Sequence, residues 1–255
     1  MSQPALFLAH GNPMNALHSN QFTDDWCRLA GGARPKAIVC VSAHWYTRGS
    51  FITANERPAT LHDFSGFPRA LSEVRYPCPG SPALAAEICQ RSAGIIQASL
   101  DWGLDHGTWS LLVHLYPDAD IPVLQLSLDS AATPESLFQL GQSLQWLRDE
   151  EVMMIGSGNI VHNLQRWLHH PDGPFDWARD FDQAIAAALV ERDDLALMQY
   201  SSLPGAELAV PTPEHFLPLL VIAGLRRPTD QLNMTNYPTN SMEYCSMRSL
   251  SLCEL

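Results

Sequence analysis

The sequence predicts an α/β fold in which a central sheet, largely parallel or mixed, is flanked by helices. Three observations carry it: apolar, β-rich runs with no polar alternation, intervening segments with apolar residues at three-and-four spacing, and regular alternation of the two. The runs Ala5–Ala9, Ala37–Ala43, Ile121–Leu128 and Val152–Ile155 read as strands buried on both faces. Helices are expected over Ser19–Ala30, Pro82–Ser92, Pro134–Glu150, Phe175–Gln199 and Pro213–Arg226, three of them opening on a first-turn proline. Ser50–Ala54 and Met242–Arg248 fit antiparallel additions at a sheet edge. The 19 prolines are spread through the chain and no repeat or charged linker divides it, so residues 1–255 are expected to form a single domain.

Composition narrows the function. The 255 residues are 46% hydrophobic and 16% charged, which is a globular balance. With 15 Lys+Arg against 27 Asp+Glu the formal charge is -12, and no basic block exists to grip a phosphate backbone, so no nucleic-acid partner is expected. The longest apolar runs, such as Pro218–Gly224, fall short of the roughly 20 residues that span a bilayer, so no membrane partner is expected either. The start, Met1 to His10, has neither a basic leader nor a long apolar stretch and is read as mature and cytoplasmic. The 6 cysteines are scattered with no C-x-x-C pair, which fits reduced thiols and argues against cysteine-bound zinc.

The 10 histidines carry the chemistry. His10 follows the first strand, His44 the second, and His162 follows Met153-Met-Ile155 by way of an expected turn, Gly156-Ser-Gly-Asn159. Carboxyl ends of strands are where open α/β sheets form ligand crevices. His106, in Leu104-Asp-His-Gly-Thr-Trp109, and His215, after Thr212-Pro-Glu214, precede or open helices whose N-termini can face the same crevice. One such histidine is most often a satisfied loop residue. Five together favour a metal site, because neutral imidazole is the commonest ligand for zinc, iron and copper, and three imidazoles, or two with a carboxylate, leave positions open for substrate. His18, His62, His114, His169 and His170 have weaker cases. Gly156-Ser-Gly-Asn159 lacks the third glycine and downstream acid of a dinucleotide loop, and H-E-x-x-H, G-x-S-x-G and Gly-Lys-Ser/Thr motifs are missing.

Six fragments occur in order: Leu8-Ala-His10-Gly-Asn-Pro13, Val41-Ser-Ala-His44-Trp45, His62-Asp-Phe-Ser-Gly-Phe-Pro68, Leu104-Asp-His106-Gly-Thr-Trp109, Gly156-Ser-Gly-Asn159 with His162-Asn-Leu164, and Pro213-Glu-His215-Phe-Leu-Pro-Leu219. Together they resemble the 4,5-DOPA extradiol dioxygenase family, a branch of the class III extradiol ring-cleavage dioxygenases, over about residues 6 to 248. The resemblance implies a non-haem Fe(II) centre in the active enzyme, with Zn(II) a common occupant in isolated protein. It implies His10, His44 and His215 as metal ligands, with Glu214 an alternative that would restore a two-histidine, one-carboxylate set. His162 would serve as base towards the catechol or as a fourth ligand, and His106 as a second acid/base kept neutral by its helix N-terminus. The implied partners are a small catechol and O2, with a homo-oligomeric state left open.

Trp45, Phe67 and Trp109 are the expected substrate-binding residues, joined by Phe64, with Arg48 and Arg69 as the nearest cations. That mixture suits a monocyclic catechol with a short side chain, such as DOPA or a dihydroxyphenyl acid. Two other readings use the same residues: a zinc hydrolase activating bound water, and a binding protein that keeps the fold without catalysis.

Overall fold

The computed structural model describes residues 2–169, 175–235 and 245–254, the side chain of Trp167 aside. Its strands are β1 (Ala5–Ala9), β2 (Ala37–Thr47), β3 (Ser50–Thr53), β4 (Ile96–Ser99), β5 (Val123–Asp129), β6 (Val152–Gly158), β7 (Gln231–Met234) and β8 (Leu250–Cys253). They form one mixed sheet of 8 strands in the order β4-β3-β5-β2-β6-β1-β8-β7. The four central strands, β5, β2, β6 and β1, are mutually parallel, while β3 and β8 run antiparallel to their inner neighbours. The expected α/β class therefore holds, and so does the reason for the unbroken apolar runs. Every residue of β1 and β6 is buried, because helices cover both faces. Alternate side chains feed opposite layers: Phe7, Val39 and Met154 pack beneath Leu219, Leu220 and Ile222, and Leu6, Leu8, Ile38 and Ile155 pack against Trp26, Trp109 and Leu112.

Several element boundaries move for identifiable reasons. The Gln21–Ala30 helix starts at a capping box made by Asn20 and Thr23 and stops at Gly31, whose φ of 62° is the left-handed conformation glycine tolerates. The span expected as one helix from Phe175 ends at Glu191, because Arg192 turns left-handed and Asp193 caps a new short helix, Asp194–Met198. Pro134–Glu150 likewise divides into Pro134–Ser143 and Trp146–Asp149. Ser50–Ala54 does give an antiparallel strand, but it lies one place inside the edge, which β4 occupies. Of Met242–Arg248, residues 242–244 lie outside the described residues. Cys245–Arg248 is held by single contacts instead of a strand: Cys245 bridges His162, Asn159 donates to the Ser246 carbonyl, and Arg248 grips the buried Asp182 at 2.6 and 2.8 Å. The C-terminal antiparallel strand is β8.

β6 is longer than expected, and the difference matters for the site. Gly156-Ser-Gly158 is not a turn: these residues pair with Phe7–Ala9 of β1. The glycines are there for space. A Cβ on Gly156 would meet the Pro218 carbonyl oxygen at 2.9 Å, and one on Gly158 would meet the His215 carbonyl oxygen at 2.2 Å, so the chain over Glu214–Ile222 can lie directly on the sheet. β2 is also longer, running past His44 to Thr47, with its register against β5 shifting between Val41 and Tyr46. That irregularity re-aims His44 within the strand.

At the opposite end of the sheet Arg148 is fully buried and donates every N–H it has. Its guanidinium pairs with Asp230 at 2.6 and 2.7 Å, and its remaining protons reach the carbonyls of Gln3, Leu225 and Leu252. One side chain thus ties the N-terminus, the end of the Leu217–Gly224 helix and β8 to the helix preceding β6. Burial pushes the Asp230 carboxyl up, but hydrogen bonds from Arg148 and the Arg227 backbone outweigh it and hold it below the ordinary carboxylate range. Arg148→Ala, which strands a buried carboxylate, should lose about 3–5 kcal/mol in chemical denaturation at neutral pH. Because the Asp230 pKa is depressed on folding, the stability it contributes is complete above its unfolded value, about 3.9, and disappears as pH falls through the folded one. The gap between wild type and Asp230→Asn should therefore close in acid; a gap independent of pH would contradict the pairing.

Candidate metal centre and its cavity

Parallel neighbours end together, so β1, β6 and β2 deliver their carboxyl termini to one rim. His10 is the residue after β1, and its N–H reaches the Gly158 carbonyl. His44 stands in the irregular stretch of β2. His162 lies just past β6, with its N–H on the Ala209 carbonyl at 2.9 Å. His215 is placed by the close approach at Gly158 and by the Asn159 N–H, which donates to its carbonyl at 2.8 Å. It sits in a turn rather than a helix, since the helix begins only at Leu217. His106 is the first residue of the His106–Leu115 helix. All five histidines expected to converge do so.

Ring geometry divides the five. Imidazoles on one tetrahedral ion, with metal–nitrogen bonds of about 2.1 Å, place their coordinating nitrogens about 3.4 Å apart and their ring centres about 5 Å apart. The centres of His10 and His44 are 5.0 Å apart, His44 and His215 5.0 Å, and His10 and His215 5.4 Å. The Nε2 atoms of His10 and His44 are 3.2 Å apart. These three rings fit one ion. His162 instead stacks on His215 at 3.6 Å with only 7° between the planes, and His106 lies 3.9 Å from His44, too close for either to share an ion with that neighbour in tetrahedral geometry. By atom proximity the candidate ligand atoms of the described residues fall instead into two groups, His10 with His44 and His106, and His162 with Glu214 and His215. Ring orientation is the stricter test, because a lone pair must point at the ion and not merely lie near it.

Acceptors outside the cluster fix which nitrogen is free. The Ser157 hydroxyl gives its proton to the Gly107 carbonyl, so it can only accept from His10 Nδ1, 2.9 Å away. His215 Nδ1 lies 3.1 Å from Glu214 Oε1, and His44 Nδ1 lies 3.4 Å from Asp63 Oδ2. Nδ1 of His10 and of His215 therefore carries the proton, which leaves Nε2 of each with a lone pair, while His44 Nδ1 stands at ion-pair distance from Asp63 and its Nε2 faces that of His10. Glu214 also accepts from Thr212, so its carboxylate faces outward and supports His215. Burial first, then the neighbouring imidazoles, hold His10 and His44 well below the ordinary histidine range, and the same causes bring His162 to about 3. Burial raises the Glu214 carboxyl, but hydrogen bonds led by His215 outweigh it and hold it at about 2. His10, His44 and His162 are thus neutral imidazoles, and with the anionic Glu214 and Asp63 beside the cluster the donor set suits a divalent cation.

The histidines open into a cavity of about 470 Å³ whose walls include Pro13, Phe64, Phe67, Leu164, Leu168 and Cys245. Phe67 lies where a substrate ring would be held. Trp45 and Trp109, expected there too, do not line the cavity. As β2 alternates, Trp45 points away from His44 and stacks on Trp102 at 5.5 Å, and Trp109 is fully buried with its indole N–H on the Leu61 carbonyl. Neither Arg48 nor Arg69 is a lining residue, and among the described residues no lysine or arginine is. Of the weaker histidines, His62 and His114 bond the carbonyls of Val74 and Asn15, and His170 lies outside the described residues. Ser157 and Asp63 carry no signal of a site role in the sequence alone. Asp63 was visible as the acid in His62-Asp-Phe-Ser-Gly-Phe-Pro68, but its partners depend on a contact 43 residues away.

An α/β sheet whose strand ends carry three converging imidazole lone pairs defines a metal-binding class of enzyme site. The chain matches, over residues 4–246, the family model described as the catalytic LigB subunit of aromatic ring-opening dioxygenase. It is 45% identical to the 4,5-DOPA dioxygenase extradiol of Escherichia coli (strain K12), across 98% of this chain and 93% of that protein. It is 38% identical to the Beta vulgaris 4,5-DOPA dioxygenase extradiol, across 86% and 85% of the two. The crystal structure of an uncharacterized protein from Escherichia coli K12 superposes with a TM-score of 0.83 at 41% identity, covering 98% of this chain and all of the other. The chain belongs to the LigB family of aromatic ring-opening dioxygenases, and it is an extradiol ring-cleavage enzyme by class.

The position of His215 depends on the missing Cβ at Gly158. Gly158→Ala should lower stability by about 1–3 kcal/mol through overpacking and, by lifting His215, weaken zinc binding in a chelator competition. Unchanged zinc affinity in a folded Gly158→Ala protein would show that this approach does not govern the histidine cluster.

Proposed function

We propose that this chain is an Fe(II)-dependent extradiol dioxygenase for a small catechol of the DOPA type, acting as one catalytic domain with the metal on His10, His44 and His215. The observation that carries the reading is the triangle of imidazole centres at 5.0, 5.0 and 5.4 Å, with the Nδ1 protons of His10 and His215 engaged outside and His44 Nδ1 beside Asp63. The names of the E. coli and Beta vulgaris relatives support the substrate class. Iron(II) supplies open coordination positions and the redox capacity that zinc lacks.

The side chains supply the rest. Phe64, Phe67, Leu164 and Leu168 form an apolar slot for a planar ring and keep water from it. His162 lies on the cavity wall as a neutral imidazole and can take a phenolic proton from a catechol seated against the metal ligands. His106, its Nδ1 held at 2.9 Å from Asp63, presents its other nitrogen to the same space and serves the later proton transfers of ring opening.

Anaerobic reconstitution with Fe(II), followed by O2 uptake with a panel of catechols including DOPA and protocatechuate, tests the reading. Uptake should occur with the iron form and not the zinc form, with a yellow semialdehyde as product. If no catechol drives uptake while the zinc form hydrolyses an ester or amide, the hydrolase reading replaces this one. His10→Ala, His44→Ala and His215→Ala should each strip metal in elemental analysis; full occupancy in all three folded variants would refute the ligand set. His162→Gln should keep its metal and lose about 10²–10⁴-fold in kcat, whereas selective metal loss would make His162 chiefly a ligand.

A further inference from the structure

Asp63 lies on a loop remote in sequence from every histidine it meets. Its Oδ1 accepts the backbone N–H of His106 at 2.9 Å and its Oδ2 accepts Nδ1 of the same residue at 2.9 Å. His44 Nδ1 lies 3.4 Å from that second oxygen, and the two rings stand 3.9 Å apart. The backbone contact has a local cause. His106 opens a helix, so its N–H is one of the donors a helix leaves unpaired. Asp105 occupies the cap position but makes no side-chain cap, because its carboxylate is taken by Ser42 and Gln125. Asp63 caps the helix from outside and in the same act fixes the ring of its first residue.

We propose that Asp63 is a positioning residue that sets the tautomer of His106 and couples its ring to that of His44. A carboxylate has no proton to give, so His106 Nδ1 carries hydrogen and its Nε2 turns a lone pair towards the cavity, while the same oxygen 3.4 Å away favours hydrogen on His44 Nδ1 once that ring's Nε2 is on a metal. One group thereby aligns a metal-facing imidazole and a substrate-facing one. The His44 half rests on the metal reading given above; the His106 half does not. Asparagine at this position would still accept the backbone N–H through its carbonyl, but would offer an NH₂ to His106 Nδ1. The ring would then have to accept there and carry its proton on Nε2, turning the cavity-facing nitrogen from acceptor to donor.

Two-bond ¹H–¹⁵N correlation spectra of histidine-labelled protein read this directly, with the His106 signals identified by their loss in His106→Gln. Wild type should show the Nδ1–H form in apo and zinc-loaded protein, and Asp63→Asn the Nε2–H form. In the Fe(II) enzyme Asp63→Asn should reduce kcat about 10–100-fold with KM for the catechol nearly unchanged, and zinc affinity should fall about tenfold through His44. A wild-type Nε2–H tautomer, or an Asp63→Asn protein that keeps Nδ1–H, overturns the proposal. If Asp63→Asn does not fold, the wild-type spectrum together with Asp63→Glu, which should retain the Nδ1–H form, decides. A wild type that binds no zinc at all would refute the metal reading while the apo tautomer still judges His106.

Discussion

Five imidazoles crowd one space in this protein, and the outward commitment of the Nδ1 protons of His10, His106 and His215 is what orders the crowd into a site. A buried imidazole whose hydrogen is not placed can turn either nitrogen inward, and a neighbour can then meet it donor to donor. Here the Ser157 hydroxyl and the Glu214 carboxylate accept the outward protons of His10 and His215, and Asp63 accepts that of His106 while standing 3.4 Å from His44 Nδ1. The hydroxyl can do so only because its own proton is spent on the Gly107 carbonyl. Burial and the neighbouring rings disfavour a charge on His10 and His44, so the rings converge as neutral donors there.

The backbone makes that convergence rigid. Three adjacent parallel strands end at one rim, and the chain carrying His215 is pressed onto the middle one, β6, where glycines remove the side chains that would hold it off. The same device recurs behind it, where Gly141 and Gly224 let the Pro134–Ser143 and Leu217–Gly224 helices touch backbone to backbone. A helix packed this closely cannot drift without disturbing the sheet, so His215 inherits the stability of the core. The cavity walls differ in kind: Leu164 and Leu168 are substantially exposed on a short helix, which leaves the substrate side easier to deform than the metal side.

Much of this was legible in the sequence because burial on both faces of a parallel sheet writes continuous apolar runs, and because histidines after such runs are rare enough to notice. The central strands, the convergence of His10, His44, His106, His162 and His215, and the family could all be read there. What could not be read depends on contacts distant in sequence. Gly156-Ser-Gly158 looks like a turn until the helix above it is known, since a glycine needed for close approach and one needed for a bend are identical in one dimension. Trp45 and Trp109 sit beside site histidines in sequence, yet strand alternation and helix geometry send their side chains into the core. Of Glu214 and His215 only His215 lines the cavity, and adjacency in sequence cannot show which of two neighbours does.

The central claim is that three imidazoles, and not a carboxylate, face the ion. X-ray absorption spectroscopy of the zinc-loaded, substrate-free protein tests it most directly, comparing wild type with Glu214→Gln. The account predicts a first shell with scattering from three imidazoles at about 2.0–2.1 Å in both proteins, because Glu214 lies behind His215. A wild-type shell with only two imidazoles and a carboxylate oxygen, lost in Glu214→Gln, would contradict it.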